Sequence, residues 1–247
     1  MPEEQIRLSL SLKTIILLCV LSAITITGLY LLFLTMPFFK NLPNILAFIA
    51  AQSIGVLLSQ WGVILYYAKK LDNSFDIRAV IGNKERLTKK TTVLMTLVLL
   101  IITGSLFLLT QPIGNYLREN AFSWLPLSII MSGDFAEYSD GILVLTYAII
   151  FVFVVILLPI SEEVFFRGFM LPQMNRLGKH APVLNTALFA LYHLWSPWQI
   201  VTRFLSCLPL YYMVNKKHSM RIGIYVHCGL NFMADFVFPI ALIILAV

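Results

Sequence analysis

The chain has 247 residues, 59% of them hydrophobic and 12% charged, against roughly 45–50% apolar and 25% charged in a soluble globular domain. With a mean hydropathy of +0.86, that balance excludes an ordinary soluble protein and points to a polytopic helical membrane protein. The net charge of +6 is no sign of nucleic acid, because the Lys and Arg residues sit in a few loops between apolar runs and read as topology signals.

In chain order, the first apolar run spans about Thr14 to Phe39. It is too long for a signal-peptide core, no small-residue cleavage site follows, and it is expected to stay as an anchor. Further runs cover about Leu42 to Ala68, the stretch between Lys89-Lys90 and Pro112, and Gly141 to about Pro159. Shorter ones follow at Val183 to Trp195, Ile200 to Val214, Ile222 to Ala234 and Phe236 to Val247. Short polar-bearing segments belong inside a bundle, where protein groups satisfy them. The expected fold is therefore all-α, a transmembrane bundle of seven or eight helices. Residues 1–140 form N-terminal helices and an external loop, and residues 141–247 form a second unit carrying the chemistry.

Seven of the eighteen Lys and Arg residues (Lys69, Lys70, Arg78, Lys84, Arg86, Lys89 and Lys90) lie between the second and third runs, which places that loop in the cytoplasm. Arg7, Lys13, Arg167, Arg176, Lys179, Lys216, Lys217 and Arg221 then fall on the same side. Only Lys40, Arg118 and Arg203 fall outside, fifteen against three. The N-terminus is expected in the cytoplasm of a bacterial cell. The segment from Gln111 to Gly141, with Glu119, Asp134, Glu137, Asp140 and the aromatics Phe122 and Trp124, reads as external. Cys19, Cys207 and Cys228 lie singly in apolar runs and read as packing residues.

Ionisable side chains in a bilayer cost on the order of 2.5–3.5 kcal/mol each on insertion scales, so each is a functional candidate. In PISEEVFFRGF, Pro159 is expected to end or bend the fourth helix. Ser161 would then cap a new one that places Glu162 and Glu163 in its first turn. Glu163 and Arg167 are spaced i, i+4. Taken alone they read equally as a charged helix start closed by an ion pair. Phe189 and His193 share a helix face, and the bland reading of His193 is a packed imidazole bonded to a neighbouring carbonyl. His227 and Asn231 are again i, i+4, and one such pair is ordinary bundle glue. Together, Glu162, His193, His227 and Asn231 fall in one half of the membrane on three helices linked by short connections that would pack as neighbours. A base, two imidazoles and an amide can run water-mediated amide cleavage.

The residues Glu162-Glu163-Val164-Phe165-Phe166-Arg167, Phe189 to His193, and His227 to Asn231 resemble, in order and spacing, the EExxxR, FxxxH and terminal His–Asn motifs of the CPBP family. These are the CAAX-processing and bacteriocin-processing intramembrane endopeptidases, also called Abi proteins. The resemblance runs from about Leu143 to Ala234. It implies Glu162 as catalytic base with His193 helping to activate water, His227 and Asn231 as the oxyanion site, and Glu163, Arg167 and Phe189 as orienting or structural residues. It also implies a membrane-associated peptide or protein as substrate, in pheromone or bacteriocin processing or immunity. A zinc held by Glu162, His193 and His227 is the other arrangement such residues allow. A metal-free glutamate mechanism is preferred, because the chain has no H-E-x-x-H and a catalytic zinc needs three protein ligands besides its base. A non-proteolytic binding or immunity scaffold of the same family is the alternative, and a small transporter a more distant one.

Overall fold

The computed structural model describes residues 8–82, 87–125 and 138–245. Arg7, Lys84, Arg86, Asp134, Glu137 and Val247, which enter the topology argument, lie outside them. The described residues form seven continuous helices. Five are long and apolar enough to cross a membrane: α1 (Leu12–Thr35), α2 (Asn44–Asp72), α3 (Lys89–Asn120), α4 (Asp140–Gln173) and α7 (Met220–Ala241). Between α4 and α7 lie two helices, α5 (Ala181–Tyr192) and α6 (Ile200–Lys217).

Each long helix is apolar all round, and packing divides its faces. On α1, Ile15, Cys19, Ala23, Ile26 and Tyr30 recur at three- and four-residue spacing and are buried, while Leu17, Leu21, Ile24 and Leu31 are exposed. An exposed leucine face is unfavourable in water and costless in lipid, so this pattern fits a bilayer. One core runs through the bundle, joining α1 and α2 to Phe165, Phe166, Phe169, Phe189, Tyr192 and Tyr211. Cys19 fits the packing role expected of it, with Sγ 3.3 Å from the Leu188 carbonyl oxygen. Capping is local: Ser11 Oγ accepts from the Thr14 N–H at 3.1 Å, and Thr88 Oγ1 accepts from the Thr91 N–H at 3.2 Å.

Several loops gather at one end of the bundle. The Leu10 N–H meets Gln173 Oε1 at 3.4 Å, the Gly82 N–H donates to the Gly168 carbonyl at 2.9 Å, and Ile81 and Met220 close over Gly168. Lys69, Lys70, Arg78, Arg176, Lys179 and Lys216 flank those contacts in sequence, so the helix packing collects the basic loops on one side. There Asp76 is held below the usual carboxylate range by hydrogen bonds from Arg78. Gly178, at φ 54° and ψ −126°, makes the turn into α5 with a backbone conformation that side chains oppose.

The expected helix break at Pro159 does not occur. Helix α4 continues past it, Ser161 caps nothing, and its hydroxyl accepts from Trp61 Nε1 at 3.1 Å. The reason is a wide, π-helical turn over Ile150–Leu157, after which the Leu158 N–H reaches five residues back to the Phe153 carbonyl. The wider turn makes room for the proline ring, and the missing N–H falls where the ladder is already re-phased. The device recurs twice. Val164–Met170 widens before Pro172, with Leu171 N–H on the Phe166 carbonyl, and Phe232–Val237 widens before Pro239, with Phe238 N–H on the Met233 carbonyl. The last recurrence joins the two expected C-terminal runs into one helix, so the count is seven rather than eight. Helix α3 likewise passes through Pro112 to Asn120, shortening the expected external segment.

Candidate active site

Glu162 and Glu163 sit inside α4, not at its start, and are 3% and 0% exposed. Adjacent residues on a helix point about 100° apart, and the two carboxylates meet different neighbours.

Glu163 faces α6 and α7. Its Oε1 accepts from Arg167 at 3.2 Å, from the Tyr211 hydroxyl at 3.0 Å and from His227 Nδ1 at 3.1 Å. The Arg167 guanidinium lies over the rings of Tyr211 and Phe189, with its carbon 3.1 and 4.2 Å from their centroids. The i, i+4 pair read from the sequence therefore forms, fully buried. The second oxygen of Glu163 lies against Gly223, in space that a Cβ would fill; only glycine lets α7 approach α4 this closely.

Glu162 faces α2 and α5. Its Oε1 accepts from Gln52 Nε2 at 2.8 Å and from the Tyr192 hydroxyl at 3.4 Å. Its Oε2 is 3.9 Å from His227 Nε2. His227 thus stands between the two acids, one ring nitrogen toward each.

Because an ion-paired carboxylate only accepts, His227 Nδ1 carries the proton toward Glu163, and in the neutral ring Nε2 is a lone pair turned to Glu162. The same logic fixes His193. Its Nδ1 lies 2.7 Å from the Phe189 carbonyl oxygen, so Nδ1 donates and Nε2 is the nitrogen left for chemistry. This is the carbonyl partner that the bland reading assigned. His193 stands just past the end of α5, and its ring packs on Phe189 and Trp195 with centroids 4.8 and 4.9 Å apart. The Phe189 ring also touches His227, at 5.7 Å, so it packs against both imidazoles.

Asn231, one turn beyond His227, donates Nδ2 to the Val154 carbonyl at 2.9 Å. With Leu158 already bonded to Phe153, that carbonyl is the one whose helical partner would be the absent N–H of Pro159. Asn231 supplies the missing donor.

Sequence reasoning missed four residues: Gln52 and Gln60 on α2, Tyr192, and Tyr211. Gln60 Nε2 donates to the Tyr192 hydroxyl at 3.0 Å, and all four are buried. The available signal was the cost of a primary amide in an apolar span, which applies to Gln52 and Gln60 as it does to acids. Among the described residues, no three His, Cys, Asp or Glu side chains are grouped so that they could hold a metal ion. A cavity of about 450 Å³ lies elsewhere, lined by Asn115, Arg118, Glu119, Phe122 and Trp198 where α3 ends and α6 begins.

The fold and site define the class: a helical bundle with membrane-spanning helices that buries two adjacent acids against the imidazole of His227 from another helix. More particularly, residues 144–233 match the family described as Rce1-like, type II CAAX prenyl endopeptidases, and that stretch is similar to the family over about a third of the chain. The match contains Glu162, Glu163, Arg167, Phe189, His193, His227 and Asn231 and leaves out α1, α2 and α3. No curated protein and no solved structure matches the chain at the level required of a relative.

Proposed function

We propose that the protein is an intramembrane endopeptidase that hydrolyses a peptide bond near the end of a membrane-associated peptide, with Glu162 as general base. The observation that carries this reading is the pair formed by buried Glu162 Oε2 and part-buried His227 Nε2, 3.9 Å apart, two acceptors facing one another within the family-matched segment. A water between them would give one hydrogen to each. As its oxygen attacks the scissile carbonyl carbon, Glu162 takes a proton; when the tetrahedral intermediate breaks its C–N bond, the same proton passes to the leaving amine. Glu163 and Arg167 fix the His227 ring, and Phe189 packs both imidazoles. His193 offers Nε2 to the proton traffic of the step. Asn231, with one amide proton on Val154, retains the other for the developing oxyanion.

The finer reading is a metal-free glutamate mechanism. Its support is that Glu163 is committed to Arg167, Tyr211 and His227, which leaves Glu162, with no cation bonded to it among the described residues and one oxygen toward His227, as the carboxylate available to react. By the positive-inside rule, the end with the basic loops faces the cytoplasm of a bacterial plasma membrane, and substrate enters from that leaflet. Pheromone maturation and bacteriocin immunity are the processes such cleavage would serve.

The test is purified protein in lipid nanodiscs, incubated with a farnesylated peptide ending in a CAAX tetrapeptide and with an unprenylated hydrophobic peptide, with and without a chelator. Cleavage by the wild type, lost in Glu162→Ala and unaffected by chelator, is the expected result. Chelator-sensitive cleavage overturns the metal-free mechanism. Cleavage retained by Glu162→Ala overturns the base assignment. A biological effect that persists in Glu162→Ala without product favours the scaffold reading.

A further inference from the structure

The family match begins at residue 144, yet the shortest hydrogen bond to Glu162 comes from α2. Gln52 Nε2 donates to Oε1 at 2.8 Å, from a side chain only 6% exposed inside an apolar span. Tyr192 donates to the same oxygen at 3.4 Å, and its own oxygen accepts from Gln60 Nε2 at 3.0 Å. A phenol has one proton; with its oxygen receiving from Gln60, that proton is turned toward Glu162.

The two glutamines are eight residues apart, which in a regular α-helix would set them about 80° out of line. The π-helical turn over Leu57–Trp61 contains Gln60, and its wider winding, with less rotation per residue, brings Gln60 back toward the face of Gln52. Both amides therefore reach the same neighbourhood, one touching Glu162 and one acting through Tyr192. Packing alone gives no reason for two buried amides and a wide turn here, since each amide must find partners or cost energy.

We propose that Gln52 and Tyr192 are positioning residues for Glu162. They hold Oε1 by two neutral donors, so that Oε2, on the side of His227, is the oxygen that takes the proton from water. The inference rests on Glu162 being the general base, and it extends the working site into the part of the chain that the family match leaves out. Neither residue touches the reacting atoms. Gln60 acts one step further back by aiming the Tyr192 hydroxyl.

A carboxylate that loses its tether samples orientations in which Oε2 no longer faces the water, which lowers turnover without touching substrate binding. The experiment uses the nanodisc preparation and the farnesylated CAAX peptide, with kcat and KM measured separately for Gln52→Met and Tyr192→Phe. Methionine keeps the length and helical preference of glutamine without a donor, and phenylalanine removes one hydroxyl. Gln52→Met is expected to lower kcat by about 10- to 100-fold, the scale of a hydrogen bond to a charged group, with KM within about twofold of wild type. Tyr192→Phe, whose bond is longer, is expected to lower kcat by about three- to tenfold. Combined, the two should lose less than the product of the single effects, because they serve one oxygen.

Unchanged kcat in both variants overturns the proposal, as does a loss appearing in KM alone. Should Gln52→Met not accumulate as folded protein, the kcat and KM of Tyr192→Phe decide by the same criteria. Glu162→Ala is run beside them. If it still cleaves, the base assignment has failed; if it is dead while both variants match wild type, only the positioning role has failed.

Discussion

The surroundings of the two adjacent glutamates differ in kind. Around Glu163 the partners include a full positive charge: Arg167, Tyr211 and His227 converge on one oxygen, and the residue is sealed from solvent. Around Glu162 the donors are an amide and a phenol, neither charged, and the second oxygen faces an imidazole at 3.9 Å. A buried carboxylate matched by a guanidinium is fixed as an anion and has little left to offer a reaction. One held by neutral dipoles can change protonation state at lower cost. In the proposed mechanism, neighbouring positions on one helix would thus divide the labour of a site, one organising and one available to react.

The sharpest way to break the contrast is to remove the cation. Arg167→Leu leaves Glu163 buried without a counter-charge and is expected to destabilise the protein by about 3–5 kcal/mol, seen as a lower unfolding temperature and lower yield of folded protein. Glu163→Gln combined with Arg167→Met should recover most of that loss, whereas Glu162→Gln should leave the unfolding temperature near wild type or above it. A strong destabilisation by Glu162→Gln would erase the distinction. A smaller perturbation is Gly223→Ala, whose added methyl meets the Glu163 carboxylate and pushes α7 from α4. About 1–3 kcal/mol is expected from such overpacking, read by thermal unfolding in detergent, with His227 displaced from both acids and turnover reduced with it. Smallest is Tyr211→Phe, which deletes one of three donors to Glu163 and should cost about 1 kcal/mol while sparing kcat. A large kcat loss there would move Tyr211 to the reactive side.

Much of this was legible in the sequence. Apolar runs between basic loops gave the helices, and the acids, Arg167, Phe189, both imidazoles and Asn231 stood out because charge and amide are expensive in lipid. Helix order led to the expectation that Glu162, His193, His227 and Asn231 gather; His227 does stand by Glu162, while its bond to Glu163 was not foreseen and His193 bonds the Phe189 carbonyl instead. Gln52 could be singled out as an amide in an apolar span, but its bond to Glu162 and that of Tyr192 were not legible, since which side chain from α2 or α5 reaches an acid on α4 depends on how the helices cross. Pro159 misled for a related reason. Its local rule, helix end, is defeated by a wide turn over Ile150–Leu157, nine to two residues upstream of the ring. The expected use of the Asn231 amide was likewise incomplete, because the acceptor it meets exists only once α4 has passed through the proline.

Those prolines have a wider consequence. Each removes one rung from its own helix and leaves a carbonyl asking for a donor from elsewhere in the chain. Val154 is answered by Asn231, and in the widened stretch before Pro172 the Gly168 carbonyl accepts from the backbone of Gly82. Helix α4 is therefore bolted to α7 and to the loop before α3 at two defined heights, on either side of the paired acids. Twisting of that helix about its long axis, the motion that would swing Glu162 out of alignment, has to shear both bolts at once.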